Sequence, residues 1–266
     1  MAGKLAGKSA LVTGASGGIG AATALRLAAD GAVVVCHGRS EDRTNAAAEA
    51  VRRAGGTAHV VIGELSGDAG PAAIVEATRA VAGDIDILVN NAGGESAGGG
   101  LSPWFETTAA DWLATYDSNV GSMIRLIHAF TPAMREKRWG RLIQLSSGVV
   151  EVPMPIIPDY QGAKAAIRNL TRSLSKALSG TGITANSVSP GFVLTDTNRK
   201  WVVAMAEKSG VNGGWEDIER WAVKKFVPNH SGRLGRPEDI ANAIAFLADP
   251  VSDYVNGTDI LVDGGH

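Results

Sequence analysis

The chain has 266 residues, 45% of them hydrophobic and 20% charged, a balance that supplies one large α/β core and excludes a disordered chain. Its 25 basic and 27 acidic side chains leave a formal charge of −2, which argues against a nucleic-acid partner. No apolar run reaches bilayer length, residues 1–10 lack the apolar stretch of a secretion signal, and the lone Cys36 cannot form an internal disulfide, so no membrane partner is expected and a cytoplasmic location is.

A short apolar strand at 10–12 leads into Thr13-Gly14-Ala15-Ser16-Gly17-Gly18-Ile19-Gly20 and a helix carrying Ala24, Leu25, Leu27 and Ala28. A strand at 33–37 is followed by an Ala-rich helix at 42–54, and a strand at 58–62 by a helix over about 71–81. The strand at 87–89 ends in Asn90-Asn91-Ala92-Gly93, and one long helix is predicted over about 109–138. Strands at 141–145 and 183–188 flank a helix at 160–178, and a helix opened by Pro237 runs to 248 before a last strand at 259–262. Continuous apolar strands alternating with helices predict a doubly wound, Rossmann-like sheet of about seven parallel strands covered on both faces. No Pro/Ser-rich linker divides the chain, so residues 1–266 are expected to form one nucleotide-binding domain.

Glycine accounts for 34 residues, and many of them cluster at strand ends. Between the first strand and first helix they would let backbone approach a pyrophosphate, held by the free N–H groups of the helix N-terminus. A structural turn also explains such a loop, less often, and the strand–loop–helix context favours a nucleotide. The five histidines show no metal-ligand spacing, so no metal is expected. Cys36, inside a strand, reads as core. Ser147 lacks the G-x-S-x-G elbow of a hydrolase.

The spacing Thr-Gly-x-x-x-Gly-x-Gly resembles the glycine motif of the short-chain dehydrogenase/reductase family. The resemblance continues through Asn90-Asn91-Ala92-Gly93, Asn119, Ser147 with Tyr160-x-x-x-Lys164, Pro190-Gly191, Arg236-Pro237-Glu238-Asp239-Ile240 and Val262-Asp263-Gly264-Gly265. It covers the chain from about Lys8 to Gly265. Each motif alone has a bland explanation: Tyr-x-x-x-Lys is often a surface pair, and an Asn often a local backbone contact. Their ordered set is specific.

The resemblance implies a nicotinamide cofactor held by Gly14, Ser16, Gly18, Ile19, Gly20, Glu64, Leu65, Asn91, Ala92, Gly93, Tyr160, Lys164, Pro190, Gly191, Val193 and Thr195. Gly38 stands where an NAD enzyme places an acid for the ribose hydroxyls, while Arg39 and Ser40 offer donors to a 2′-phosphate. NADP(H) is therefore expected over NAD(H), although Arg39 could instead pair with Glu41 or Asp42. Two departures stand out. Gly17 occupies a loop position where many NADP-preferring relatives carry a basic residue, and Glu64 replaces the usual Asp beside the adenine.

Tyr160 is the expected general acid and base. A tyrosine ordinarily titrates near 10. A cation about 4 Å away is worth roughly 4 kcal/mol at an effective dielectric of 20, which would lower that value by up to about 3 units. Lys164, one helical turn on, supplies the cation. By resemblance it also holds the nicotinamide ribose, Ser147 steadies the substrate oxygen, and Asn119 keeps a water that resupplies protons.

Substrate is expected against Ser147, Val149, Tyr160, Phe192 and Met205, beyond the carboxyl ends of the strands. The glycine-rich stretch 94–100 is expected to be flexible, and prolines 153, 155 and 158 to stiffen the approach to Tyr160. Residues 192–235 correspond to the family's substrate lid. Their Trp201, Met205, Trp215, Trp221 and Phe226 either line an apolar pocket or pack between helices.

The expected function is an NADP(H)-dependent ketone reductase or secondary alcohol dehydrogenase on a small molecule, in a homotetramer built partly through the two long helices. A 3-oxoacyl thioester reductase, with Arg135, Lys137 and Arg138 facing a carrier, and an NAD-dependent sugar or polyol dehydrogenase are the alternatives. A cofactor-binding regulator without chemistry is a different class, disfavoured by the intact Asn119, Ser147, Tyr160 and Lys164.

Overall fold

A computed structural model describes residues 3–94, 96–97 and 101–266. Of the glycine-rich stretch expected to be flexible, Glu95 and Gly98, Gly99 and Gly100 lie outside the described residues. Strands β1 (Ser9–Val12), β2 (Val33–Gly38), β3 (Thr57–Ile62), β4 (Ile87–Asn90), β5 (Gly140–Leu145), β6 (Ile183–Pro190) and β7 (Asp259–Val262) form one sheet in the order β3-β2-β1-β4-β5-β6-β7. Every pairing is parallel. The Rossmann-like α/β fold expected from the strand–helix alternation is what forms.

Period-two alternation sorts the strand side chains onto two faces. Ala10, Val12, Val34, Cys36, Val89 and Ile143 face one core with α1 (Gly18–Ala29), α2 (Glu41–Arg53) and α9 (Pro237–Ala248). Leu11, Val35, Leu88 and Leu142 face the other, with α3 (Ala69–Ala82), α5 (Ser122–Lys137) and α6 (Pro158–Ala177). The helices present matching stripes: Met123, Leu126, Ile127, Phe130 and Met134 on α5 recur at helical spacing and are buried. Burial pushes the Cys36 thiol up to about 11, in keeping with its reading as a core side chain.

Two elements differ from the sequence pattern. The long helix expected over 109–138 is α4 (Ala109–Tyr116) joined to α5 through a wide π turn at Asp117–Gly121. The segment 192–235, expected to act as a lid, holds two helices, α7 (Asp196–Lys208) and α8 (Trp215–Lys225). They enclose a third small core in which Phe192, Trp201, Trp215 and Trp221 pack around Val202, Ala206 and Ala222. Phe192, Trp201 and Phe226 touch one another, with ring centroids 4.6–6.0 Å apart. Of the two readings of these aromatics, helix packing describes most of them; Met205 stands half-buried outside that cluster.

Candidate active site

The strand order reverses between β1 and β4, so the loops leaving their carboxyl ends open a crevice. Thr13 joins those loops. Its hydroxyl donates to Val89 O and accepts from the N–H groups of Asn91 and Ala92 at 3.0 and 2.9 Å. Asn91 returns its amide to Thr13 O at 2.8 Å. Gly14 has φ +67°, and a Cβ on Gly20 would lie 2.2 Å from Gly14 O; only glycine lets the loop fold so tightly onto the start of α1. Thr195, which caps α7 by accepting from Asn198 N, brings its methyl against Gly18, so the segment expected to act as a lid begins beside the glycine loop.

At the end of β2, a Cβ on Gly38 would stand 2.3 Å from Thr44 Oγ1 and 3.0 Å from Ser16 Cβ. The place of an NAD-type acid is thus already filled. Arg39 pairs with Glu64 at 3.5 Å rather than with Glu41 or Asp42. Glu64 also accepts from the N–H of Leu65, which is buried beneath it.

The second half of the site lies where β4, β5, the π turn and α6 meet. The π turn directs Asn119 inward, 2% exposed, with its amide donating to Thr115 O at 2.9 Å and Gly94 O at 3.1 Å. Its Oδ1 is buried without a hydrogen-bond partner. Lys164 lies on the buried stripe of α6 beside Ala163 and Ile167, and its Nζ donates to Leu145 O at 2.9 Å. Burial pushes its ammonium down to about 8, so it stays mainly charged at neutral pH, though less firmly than an exposed lysine. The two side chains meet over Gly93, where a Cβ would be 2.5 Å from Asn119 Oδ1 and 3.1 Å from Lys164 Nζ.

Tyr160 is half-buried in the first turn of α6, with Lys164 Nζ 5.5 Å from its ring centroid. The turn before it is held hard. Ile157 has φ +50°, a strained conformation for a β-branched residue, and its N–H donates to Ser102 O at 2.8 Å. Gln161 clasps Met154, accepting from its N–H at 2.7 Å and donating to its carbonyl at 2.9 Å. Ser147 is extended at the end of β5 and accepts from Val149 N at 3.4 Å. Gly148 next to it lies against Pro190 O and Gly191, so the Pro190-Gly191 turn abuts the same crevice. Val193 is buried and bridges to Gly235.

Asp159 is a site residue that the sequence pattern does not single out. An acid in the first turn of a helix reads as an ordinary response to its dipole, yet Asp159 is 2% exposed. It accepts from Thr115 Oγ1 at 2.6 Å, Ser96 Oγ at 2.8 Å and Ala97 N at 3.3 Å. Burial alone would raise its carboxyl; the donors of Thr115 and Ser96 and the backbone of Tyr160 and Ala97 outweigh it and hold the group below the usual range. The cations considered for a carrier partner lie elsewhere. Lys137 binds Asp86, just before β4, and Arg138 binds Gly180 O, ahead of β6, at the opposite end of the strands from Tyr160.

Crevice, cradle and uncommitted polar atoms fit a dinucleotide: a tight glycine loop at a helix N-terminus, an orphan Asn119 Oδ1, and a buried lysine beside a tyrosine. A family model described as short chain dehydrogenase matches residues 8–205. The 3-oxoacyl-(acyl-carrier-protein) reductase FabG of Escherichia coli is 35% identical over 259 residues, 97% of each chain. The 3beta-hydroxysteroid dehydrogenase 1 of Eggerthella lenta is 36% identical over 264 residues, covering 98% of this chain and 94% of that one. Among solved structures, L-sorbose reductase from Gluconobacter frateurii, complexed with NADPH and L-sorbose, superposes with a TM-score of 0.90 at 29% identity, covering 100% and 98% of the two chains.

Proposed function

The chain belongs to the short chain dehydrogenase family, and on that premise we propose that it is an NADP(H)-dependent reductase of ketones, or dehydrogenase of secondary alcohols, with Tyr160 as general acid and base. Family membership makes it an oxidoreductase of CH–OH and C=O groups acting on a small molecule. The observation that carries the residue assignment is the meeting of Asn119 Oδ1 and Lys164 Nζ over Gly93, one helical turn from Tyr160.

The dihydronicotinamide, when bound, supplies the hydride that adds to the carbonyl carbon. Tyr160 Oη gives its proton to the carbonyl oxygen in the same step, and in the reverse direction takes it back from the alcohol. Ser147 Oγ, at the mouth of β5, donates to that oxygen as negative charge grows on it. Lys164, mainly protonated at neutral pH, favours the tyrosinate left behind. Asn119 Oδ1 holds a water through which Lys164 draws a proton from solvent. Gly14, Ser16, Gly18, Ile19 and Gly20 would cradle the pyrophosphate; Arg39 and Ser40 would bind the 2′-phosphate, with Glu64 and Leu65 beside the adenine. Asn91, Ala92, Gly93, Pro190, Gly191, Val193 and Thr195 would line the nicotinamide half. The missing acid at Gly38 supports NADP(H) over NAD(H).

Residues 192–235 act as a lid on this one domain, and Val149, Phe192 and Met205 complete the substrate wall. Leu101, Trp104, Phe105, Val152 and Met154 are exposed around the approach to α6, which supports a substrate with a sizeable apolar body. We place the chain in a cytoplasmic homotetramer; no helix among the described residues is long and apolar enough to cross a membrane.

The test is cofactor oxidation by wild type and Tyr160→Phe, with NADPH or NADH and a panel of aryl ketones, cyclic ketones, 3-oxoacyl thioesters and keto-sugars. Turnover with NADPH, lost by a factor of about 1,000 or more in the variant, is expected. Full activity in Tyr160→Phe sinks the assignment.

A further inference from the structure

Gly17 precedes the first turn of α1 with φ 165° and ψ 178°, an extended conformation open to any residue. A Cβ there would nevertheless meet Arg43, whose Nη2 lies 2.9 Å away and Cζ 4.0 Å away. The guanidinium of Arg43 therefore lies over the glycine loop. It reaches there from the first turn of α2, which is anchored: Thr44 is fully buried, donates to Ser40 O at 2.7 Å, and fills the space left by Gly38 against Ser16.

Among the described residues Arg43 has neither an ion-pair nor a hydrogen-bond partner, whereas Arg39 is shared with Glu64 and Arg26 with Asp30. A guanidinium without a counter-ion, held over an anion-binding loop, is half of a charge-assisted fork. The pyrophosphate belongs to the N–H groups at the start of α1, and the adenine ribose lies between that loop and the end of β2. A phosphate on the ribose 2′ position would lie toward the end of β2, where Arg39 and Ser40 follow Gly38, and Arg43 over Gly17 would be a second cation within that region. Glu64 offsets the charge of Arg39 there; that of Arg43 is uncompensated.

We propose that Arg43 is a binding and specificity residue for the 2′-phosphate of NADP(H), supplying from α2 the cation that Gly17 does not carry. The proposal rests on the NADP(H) reading above. A cofactor without that phosphate presents only phosphates that the N–H groups at the start of α1 already hold, so the effect of Arg43 should be confined to ligands carrying a 2′-phosphate.

The experiment measures equilibrium binding of 2′,5′-ADP and of 5′-AMP by calorimetry, without turnover, in wild type, Arg43→Ala, Arg43→Gln and Arg39→Ala. Arg43 is exposed, so its variants should fold. In Arg43→Ala and Arg43→Gln the affinity for 2′,5′-ADP should fall about tenfold or more, as for loss of a hydrogen bond to a charged group, and 5′-AMP should bind within about twofold of wild type. The affinity should also lose part of its salt dependence. Because residue 17 is extended and only Arg43 stands in its way, the double variant Gly17→Arg, Arg43→Ala should regain the 2′,5′-ADP affinity. Wild-type affinity in Arg43→Ala, or an equal loss for both ligands, overturns the proposal. Preference for the phosphorylated ligand that survives Arg43→Ala but disappears in Arg39→Ala overturns it while leaving the NADP(H) reading intact. No preference in wild type overturns both.

Discussion

Lys164 carries a pH dependence whose sign is fixed by its burial. The folded chain releases this proton at about 8, against an ordinary lysine value of 10.5. Between those values the unfolded chain holds the extra proton, so stability rises with pH through that window, and below about 8 the full cost of burying the cation is present. Relative to Lys164→Met, wild type should therefore gain unfolding free energy between pH 8 and 10.5, as urea titrations at the two ends can establish. An opposite slope contradicts a buried, desolvated lysine. Gly38 gives a second test at this scale. An acid placed there to accept NAD(H) would drive its Cβ to 2.3 Å from Thr44 Oγ1, so Gly38→Asp should cost about 1–3 kcal/mol of stability, the range for overpacking, and gain no NADH affinity. Removing the obstruction in Gly38→Asp, Thr44→Ala should restore part of the stability and admit NADH, measured by denaturation and titration of the same samples.

Asp159 joins three elements that sequence patterns treat separately. Its carboxylate gathers Ser96 and Ala97 beyond β4, Thr115 at the end of α4 and the first turn of α6, so it ties Ser96 and Ala97 to the helix that bears Tyr160. Asp159→Ala strands the hydroxyls of Ser96 and Thr115, and a loss of about 3 kcal/mol is expected from unsatisfied buried donors at 1–3 kcal/mol each. Asp159→Asn retains one acceptor and should lie between the two in thermal unfolding. Equal stability of Ala and wild type rules out this knot. The parallel Rossmann-like sheet was legible because strand runs and glycine turns are local signals, and the i, i+4 spacing of Tyr160 and Lys164 put them on one side of a helix; Ser147 was linked to them only through the ordered motifs of the family. The knot was not, since each member looks like an exposed polar residue until the chain folds. Nor was the π turn: the apolar repeat of α5 runs on smoothly from Met123, and what marks the widened turn is Asn119 facing inward. The lid aromatics were ambiguous for a related reason. A tryptophan at helical spacing reads the same whether it meets a substrate or a second helix, and only the mutual packing of α7 and α8 decided most of them.

At the scale of the molecule the two sheet edges are unequal. β3 lies at one end, flanked by α2, while β7 closes the other as a short, half-buried strand bonded only to β6. Around β7 the surface is unusually apolar: Phe246 on α9, then Val251, Tyr254 and Leu261 are exposed, Tyr254 fully so. An open strand edge beside such a patch invites pairing with another chain. A second apolar face, with Leu113 and Tyr116, lies on α4, away from that edge in the chain and on a different layer. Two separate faces are what a closed assembly with two kinds of two-fold contact requires, whereas a dimer needs one. The homotetramer proposed above therefore makes an asymmetric prediction. Wild type at micromolar concentration should sediment as four chains, and Phe246→Glu with Leu261→Lys should yield a species of half that mass, held by the remaining face. Because neither side chain is among the residues proposed to hold cofactor or substrate, the half-sized species should still bind cofactor, measurable by the same calorimetry. A wild type that sediments as a monomer, or a double variant that keeps the full mass, removes the β7 edge from the assembly.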